Sequence, residues 1–401
     1  MPRRRAPLGE AGRARAAAPA ATGGDPLLRR QQDHAVARPI GRPRRRAPAP
    51  ARRYAGAMAA AAPPDEPAFH EPALGPVPLR DLGLTIAGTR LEAIIAEFTA
   101  ELELAGLRRV RPRFYLSTEW GVPFNTISIG IPFYLARPDL TALHGARTGH
   151  VEGVSRADCL RYLRHEMGHV VNYAYRLYGE PAWVERFGPI DAPYHEGYRP
   201  IPFSRRHVVH LPGWYAQKHP DEDWAETFAV WMTPGRAWRV EYADWPEALA
   251  KLEYCDRAMA ALRERDPVVT DDALDEDVAE LGTSLDEYYG AALPGDDELP
   301  RGFDGALRAI FDELDAPDEA GAERPAAALI LDLERELVAS VYRSTGHFPE
   351  ATRPLVRHLA GRAGELGLAY RAANERTAVI AFAALVTALA MNHVRTGSYF
   401  A

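Results

Sequence analysis

Hydrophobic positions fall into blocks of different period, and the first clear block begins near Leu79. Leu91, Ile94, Ile95, Phe98, Leu102 and Leu104 recur at helical spacing behind Thr89-Arg-Leu-Glu92, a capping-box arrangement, and Gly106 closes the segment. Phe114–Leu116 and Thr126–Leu135 are β-rich runs that read as strands. Pro132 has no N–H for a ladder and places the second run at a sheet edge. Another cap, Ser155-Arg-Ala-Asp158, opens a helix through Leu160, Leu163, Met167, Val170, Val171, Ala174 and Leu177, stopped by Gly179 and Pro181. Residues 180–218 are loop-like, rich in Pro, Gly and Tyr. Pro220 then suits the first position of a helix running to Met232, ahead of Pro234-Gly235. Helical periodicity returns over 326–401. There Ala378–Met391 carries no charge, and its length makes it a buried core helix rather than a membrane span.

The pattern predicts an α+β protein. A mixed domain occupies 79–262, an all-helical module occupies 326–401, and residues 266–323 join them as a linker with short helices. Residues 1–65 are Arg, Pro, Ala and Gly with almost no apolar period and read as a disordered tail. A solvated tail, a start upstream of the true one at Met58, a nucleic-acid arm and a transit peptide all fit that composition. A secretory signal lacks its apolar stretch.

Charge sharpens this division. The 401 residues carry 48 basic and 55 acidic side chains, a net of −7, but residues 1–57 hold 14 Arg against Glu10, Asp25 and Asp33, or +11. The rest therefore sums to −18, which excludes nucleic acid as a partner of the body. Residues 266–323 hold 19 acids and two arginines, nearly all of that excess. Cys159 and Cys255 are the only cysteines, too few for a zinc ribbon or a disulfide scaffold, which favours a reducing cytoplasm.

One motif carries chemistry. His165-Glu-Met-Gly-His169 lies inside the helix predicted from caps and period. Residues at i and i+4 share a helix face, so both imidazoles can bind one zinc ion, with Glu166 placed to take a proton from an activated water. A catalytic zinc takes three protein ligands and keeps a position open. Glu222 and Glu226, one turn apart in the next helix, supply a third ligand and a carboxylate that orients a ligand imidazole, and either can fill either role. Asp221 and Asp223 are accounted for by first-turn compensation of the helix dipole. Tyr215, seven residues before Glu222, can donate to an oxyanion, with Tyr194 and Tyr198 as rivals. His195, His207 and His210 read as a loop flanking the cleft rather than a second metal site. Asp271, Asp272, Asp275 and Asp277 lack an EF-hand's glycine and terminal Glu.

The stretches Leu163–Tyr175 and Tyr215–Ala229, with Ile131–Ala136 and Leu82–Gly88, resemble a bacterial zinc-binding metallopeptidase family over roughly residues 79–262. The Tyr-to-Glu spacing is more remotely similar to that of lethal-factor-like gluzincins. The resemblance implies a zincin-like domain with a small edge-stranded sheet and active-site helices. It implies one Zn2+ per chain on His165, His169 and Glu222, with Glu226 behind a ligand and Tyr215 as transition-state donor. Thermolysin-type gluzincins carry Asp at the position of Glu226, which keeps Glu226 open as a ligand. The resemblance covers neither a cysteine-rich start nor the C-terminal module, whose partner is unknown.

The expected activity is hydrolysis of a peptide or protein substrate by a zinc-activated water, with Glu166 as general base. The substrate is expected to pair along Thr126, Ile127, Ser128, Ile129, Gly130 and Ile131 as an added strand. The alternatives are a catalytically silent zincin-shaped binding or sensory module and a zinc hydrolase of non-peptide amides.

Overall fold

A computed structural model of the protein describes residues 75–194, 198–290, 302–313 and 323–399. The 1–65 tail and His195 lie outside them. Helix α1 (Arg90–Leu104) starts at its expected cap. Thr89 Oγ1 accepts from the Leu91 N–H at 3.2 Å, and Glu92 accepts from the Gly88 N–H at 2.8 Å, so the reciprocal bond lands one residue ahead of the cap. Leu91, Ile94, Phe98 and Leu102 are buried, whereas Leu104 is 86% exposed because the apolar stripe has turned past the core by the last residue.

Strands β1 (Arg113–Ser117) and β2 (Ser128–Pro132) pair in parallel, Arg113 opposite Ser128. The second strand is shorter than its β-rich run. Phe133, Tyr134 and Leu135 are all buried, and the chain packs them in a 3₁₀ turn before α2 (Pro138–Thr148).

Helix α3 (Arg156–Tyr175) carries the His-Glu motif. Ser155 Oγ accepts from the Asp158 N–H at 3.1 Å and the Asp158 carboxylate from the Gly153 N–H at 2.8 Å. After α4 (Pro181–Phe187) comes α5 (Pro220–Met232), with Pro220 in its first turn and His219 as the cap, and then α6 (Pro246–Leu262). Helices α3 and α5 run in opposite directions at close approach: a Cβ on Gly168 would stand 2.7 Å from the Ala225 Cα, and the Trp224 indole donates to the Gly168 carbonyl at 2.8 Å. Phe98, Ile131, Leu163, Met167, Trp183, Trp224 and Phe228 fill the core around them.

Two expectations change. Residues 268–290 are no linker. The Val268 and Val269 N–H groups both donate to the Ala174 carbonyl and the Val278 N–H to Leu116, while Val278, Leu285 and Tyr289, the last two on α7 (Leu285–Gly290), enter the first core. The acids there sit on the outside of a strap whose few apolar residues point in. The second unit is not all-helical either. It joins α8 (Asp304–Arg308), α9 (Ala326–Thr345), α10 (Pro349–Glu365) and α11 (Glu375–Thr396) to a three-stranded antiparallel sheet. In it β5 (Leu368–Arg371) lies between β3 (Asp312–Glu313) and β4 (Glu323–Pro325), strands too short to show a period of two. Its core is separate, built on Ile330, Val341, Leu355, Leu359, Phe382 and Val386.

Helix α11 extends well beyond the uncharged stretch 378–391. It buries one face through Ala378, Phe382, Val386 and Leu389 but leaves Ile380 59% exposed, so it is a half-buried helix rather than a fully buried one. With the turn before it, this is the one helix among the described residues long and apolar enough to cross a membrane. The whole is mixed α+β and mostly helical, with two small sheets.

Candidate metal centre

The i, i+4 spacing on α3 brings His165 Nε2 and His169 Nε2 to 3.2 Å from each other. Across the α3–α5 contact, Glu222 Oε2 stands 3.1 Å from the first and 3.3 Å from the second. Three ligand atoms around a tetrahedral zinc, each about 2.05 Å from the ion, lie roughly 3.3 Å apart, so this triangle is one face of such a site. All three side chains are buried, and together they form a group that can hold a metal ion. Two imidazole nitrogens and one carboxylate oxygen are a donor set that suits zinc.

The outer atom of each imidazole is held from behind. His165 Nδ1 donates to Glu226 Oε1 at 3.0 Å, and Glu226 Oε2 accepts the N–H groups of His210 and Leu211, both at 2.9 Å. His169 Nδ1 donates to Asp221 Oδ2 at 3.0 Å, and Asp221 is itself held by the Asn172 amide at 2.6 Å and by the Tyr173 hydroxyl. With Nδ1 bonded to a carboxylate on each ring, Nε2 is the atom that both imidazoles turn towards Glu222 and can offer to an ion on losing its proton. Glu226 therefore stands behind His165 rather than among the three converging atoms. Asp221, assigned from sequence to dipole compensation, is the corresponding anchor of His169. Asp223 has a different partner again, the Lys251 ammonium at 2.6 Å.

Electrostatics express the same crowding. Burial opposes charge on His165, yet the Glu222, Glu226 and Glu166 carboxylates outweigh it and hold the imidazole up at about 9. Burial likewise works against Glu222, and the two imidazoles hold its carboxyl well below the ordinary range. Glu166 is 5% exposed and makes no hydrogen bond to the described residues, and burial moves its carboxyl upward.

No protein-family model, curated protein or solved structure matches this chain.

The remaining candidates divide. The Tyr215 ring packs 5.6 Å from the His165 ring, and burial, with Glu222 nearby, pushes its phenol well above the ordinary value. Tyr194 donates to Glu222 Oε1 at 3.0 Å, whereas Tyr198 donates to the Gly213 carbonyl at 2.9 Å. His207 and His210 diverge. The first stands 3.8 Å from Asp223, and the second bonds the Arg161 carbonyl of α3 at 3.0 Å.

The expected docking edge is closed. The Arg113 N–H donates to the Ile127 carbonyl, so in this register Ile127, Ile129 and Ile131 face β1 while residues 128, 130 and 132 face outward. Of the outward groups, the Ser128 N–H lies 3.3 Å from Thr126 Oγ1, the Gly130 N–H donates to the Gly121 carbonyl at 2.8 Å, and Pro132 has none. Thr126 and all of β2 are buried. No outward N–H remains to receive a peptide strand.

Sequence reasoning did not place Asp221 behind His169, Tyr194 on Glu222 or Asp223 against Lys251. Asp221 and Glu226 are five apart on α5, and His165 and His169 are four apart on an antiparallel α3, so a carboxylate behind each imidazole was legible once the pairing direction was known. Tyr194 comes from a loop and has no periodic signal.

Proposed function

We propose that this chain is a zinc-dependent metallopeptidase with a gluzincin-like, zincin-type centre of one Zn2+ per chain, acting on a peptide or protein substrate. The observation that carries this reading is the triangle of His165 Nε2, His169 Nε2 and Glu222 Oε2, backed by Glu226 and Asp221, with the Glu166 carboxyl buried beside it and making no hydrogen bond among the described residues. Zinc bound there supplies Lewis acidity that activates a water and polarises the scissile carbonyl.

The rest falls to the chain's own side chains. Glu166 follows His165 directly on the same helix, and burial makes its carboxylate a stronger base than one in water. It takes the proton of the attacking water and passes it to the leaving amine. Tyr215 keeps its proton at neutral pH and stands beside His165, where it donates to the oxygen that gains negative charge as the carbonyl carbon becomes tetrahedral. Glu226 and Asp221 hold the imidazoles in the tautomer that faces the ion.

The test is Glu166→Gln in the full chain. Zinc content stays at the parent level while cleavage of casein and of a peptide library falls by at least about 10²–10⁴, the usual contribution of general acid–base catalysis. A Gln variant that cleaves as fast as the parent would remove Glu166 from the mechanism, and a parent that binds zinc but cleaves no peptide would refute the peptidase reading.

A further inference from the structure

The metal triangle leaves one atom to explain. Glu222 presents Oε2 to both imidazoles, and its other oxygen, Oε1, accepts the Tyr194 hydroxyl at 3.0 Å. The terminal torsion of a glutamate is broad, so a free carboxylate would swing and could offer an ion both oxygens. We infer that Tyr194 is a positioning residue of this centre: it ties down the outer oxygen of Glu222, so that a single oxygen completes the ligand set. The inference rests on the metal reading above and adds to it a residue from outside the two ligand helices.

How Tyr194 reaches Glu222 follows from the loop that carries it. The segment after α4 leaves at Gly188, whose φ of 100° is open to glycine and strained for other residues, and where a Cβ would stand 3.3 Å from Pro220 Cγ. A turn closes at Ala192, whose N–H donates to the Pro189 carbonyl at 3.1 Å. His219 then fastens this loop to the start of α5. Its Nε2 donates to the Ala192 carbonyl at 3.0 Å, while its Nδ1 accepts the Asp221 N–H at 3.2 Å as the helix cap. One imidazole thus fixes both the first turn bearing Glu222 and the loop bearing Tyr194, and the Tyr194 and His219 rings lie 5.3 Å apart. The Lys218 ammonium sits 4.4 Å over the Tyr194 ring and 5.2 Å over the Tyr215 ring.

Two phenols therefore meet at the centre with different work. Tyr194 bonds the ligand carboxylate, and Tyr215 packs on the side of His165. The two side chains are also hydrogen-bonded to each other, so loss of the Tyr194 hydroxyl acts directly on the Glu222 carboxylate, whereas loss of the Tyr215 hydroxyl reaches it through Tyr194.

The experiment compares Tyr194→Phe and Tyr198→Phe with the parent, all as the full chain. Zinc affinity is measured by competition with a chromogenic chelator, and cobalt(II) replaces zinc for visible spectra. Tyr194→Phe should weaken zinc binding about 10–100-fold, the range for residues that orient metal ligands. Its cobalt bands should lose intensity as Glu222 turns both oxygens to the ion and coordination rises above four. Tyr198→Phe, which removes only the bond to the Gly213 carbonyl, should leave both readouts at the parent values. The cobalt spectrum reports only folded, loaded protein, so it decides the matter even if Tyr194→Phe lowers the folded fraction.

A Tyr194→Phe protein with zinc affinity within threefold of the parent and an unchanged cobalt spectrum would overturn the inference. A parent that takes up no zinc would overturn the metal reading, and Tyr194's role with it. A parent that binds zinc and cleaves nothing would refute the peptidase and leave the Tyr194 result standing on its own.

Discussion

Gly168, inside the motif between Met167 and His169, is where the fold and the candidate metal site meet most tightly. Replacing it with alanine adds one methyl group, which lands 2.7 Å from the Ala225 Cα, 3.1 Å from its carbonyl oxygen and 3.2 Å from its Cβ. Carbon atoms rest at about 3.5–4.0 Å, and both contacting atoms belong to helix backbones that cannot swing aside, so α3 and α5 must part by roughly 1 Å. The movement separates the two imidazoles from Glu222. Its present distances of 3.1 and 3.3 Å open towards roughly 4 Å, against about 3.3 Å for a tetrahedral zinc face, where distances are held to about 0.2 Å. The overpacked contact costs about 1–3 kcal/mol of stability. Zinc affinity should fall by more than the roughly 10–100-fold that an orienting partner alone commands.

Urea unfolding with and without zinc gives both quantities. Gly168→Ala should show a lowered midpoint in the metal-free protein and a much smaller gain on adding zinc. Gly361 on α10 is the control. A Cβ there meets nothing within 4 Å, so Gly361→Ala should leave zinc binding alone and raise stability by up to about 1 kcal/mol through helix propensity. A Gly168→Ala protein with the parent's midpoint and the parent's zinc affinity would refute the claim that this close crossing sets the ligand triangle.

Two further outcomes follow from buried charge. Lys251 and Asp223 are 7% and 3% exposed and 2.6 Å apart, and burial drives the Asp223 carboxyl up to about 7 even with the ammonium beside it. Lys251→Met should cost about 3–5 kcal/mol in urea unfolding, and adding Asp223→Asn should recover most of it. A loss under about 1 kcal/mol would contradict the pairing. His347 is 2% exposed, with Nδ1 2.7 Å from Thr352 Oγ1 and Nε2 3.0 Å from the Tyr399 hydroxyl, and burial lowers it to about 3. Its folded value lies below its unfolded one, so its contribution is complete above about pH 6.5 and is lost as pH falls, on the order of 2–3 kcal/mol by pH 4.5. The stability difference between the parent and His347→Gln should shrink over that interval, and a difference constant with pH would show that the ring is not held neutral.

The periodic features were legible. Thr89 and Ser155 cap the helices they were expected to cap, and Pro220 opens the helix that delivers Glu222. The shared face of His165 and His169 on α3 follows from 3.6 residues per turn alone. What the sequence did not disclose depends on contacts between distant segments. Asp221 looked like a dipole-compensating acid because that role is local, whereas its bond to His169 spans 52 residues and requires knowing that α3 and α5 run antiparallel. Thr126–Ile131 looked like a free edge because Pro132 marks one. The groups that occupy it come from Gly121 and from Thr126's own side chain, and neither has a pattern along the chain. The acidic stretch looked like solvated linker because charge dominates its composition, yet Val278, Leu285 and Tyr289 are enough to bind it to the core.

Helix α5 sends Asp221 to His169, Glu222 to the two imidazoles and Tyr194, Asp223 to Lys251, and Glu226 to His165 and the His210–Leu211 backbone. Each added residue turns a helix by about 100°. Inserting or deleting one residue between Asp221 and Glu226 would misdirect the acids on one side of the change relative to those on the other, leaving part of the set facing apolar neighbours such as Trp183 and Phe187. A point change here disturbs one acid and its partner. A change of length misdirects several at once, so among divergent copies of this protein that short interval should never vary in number.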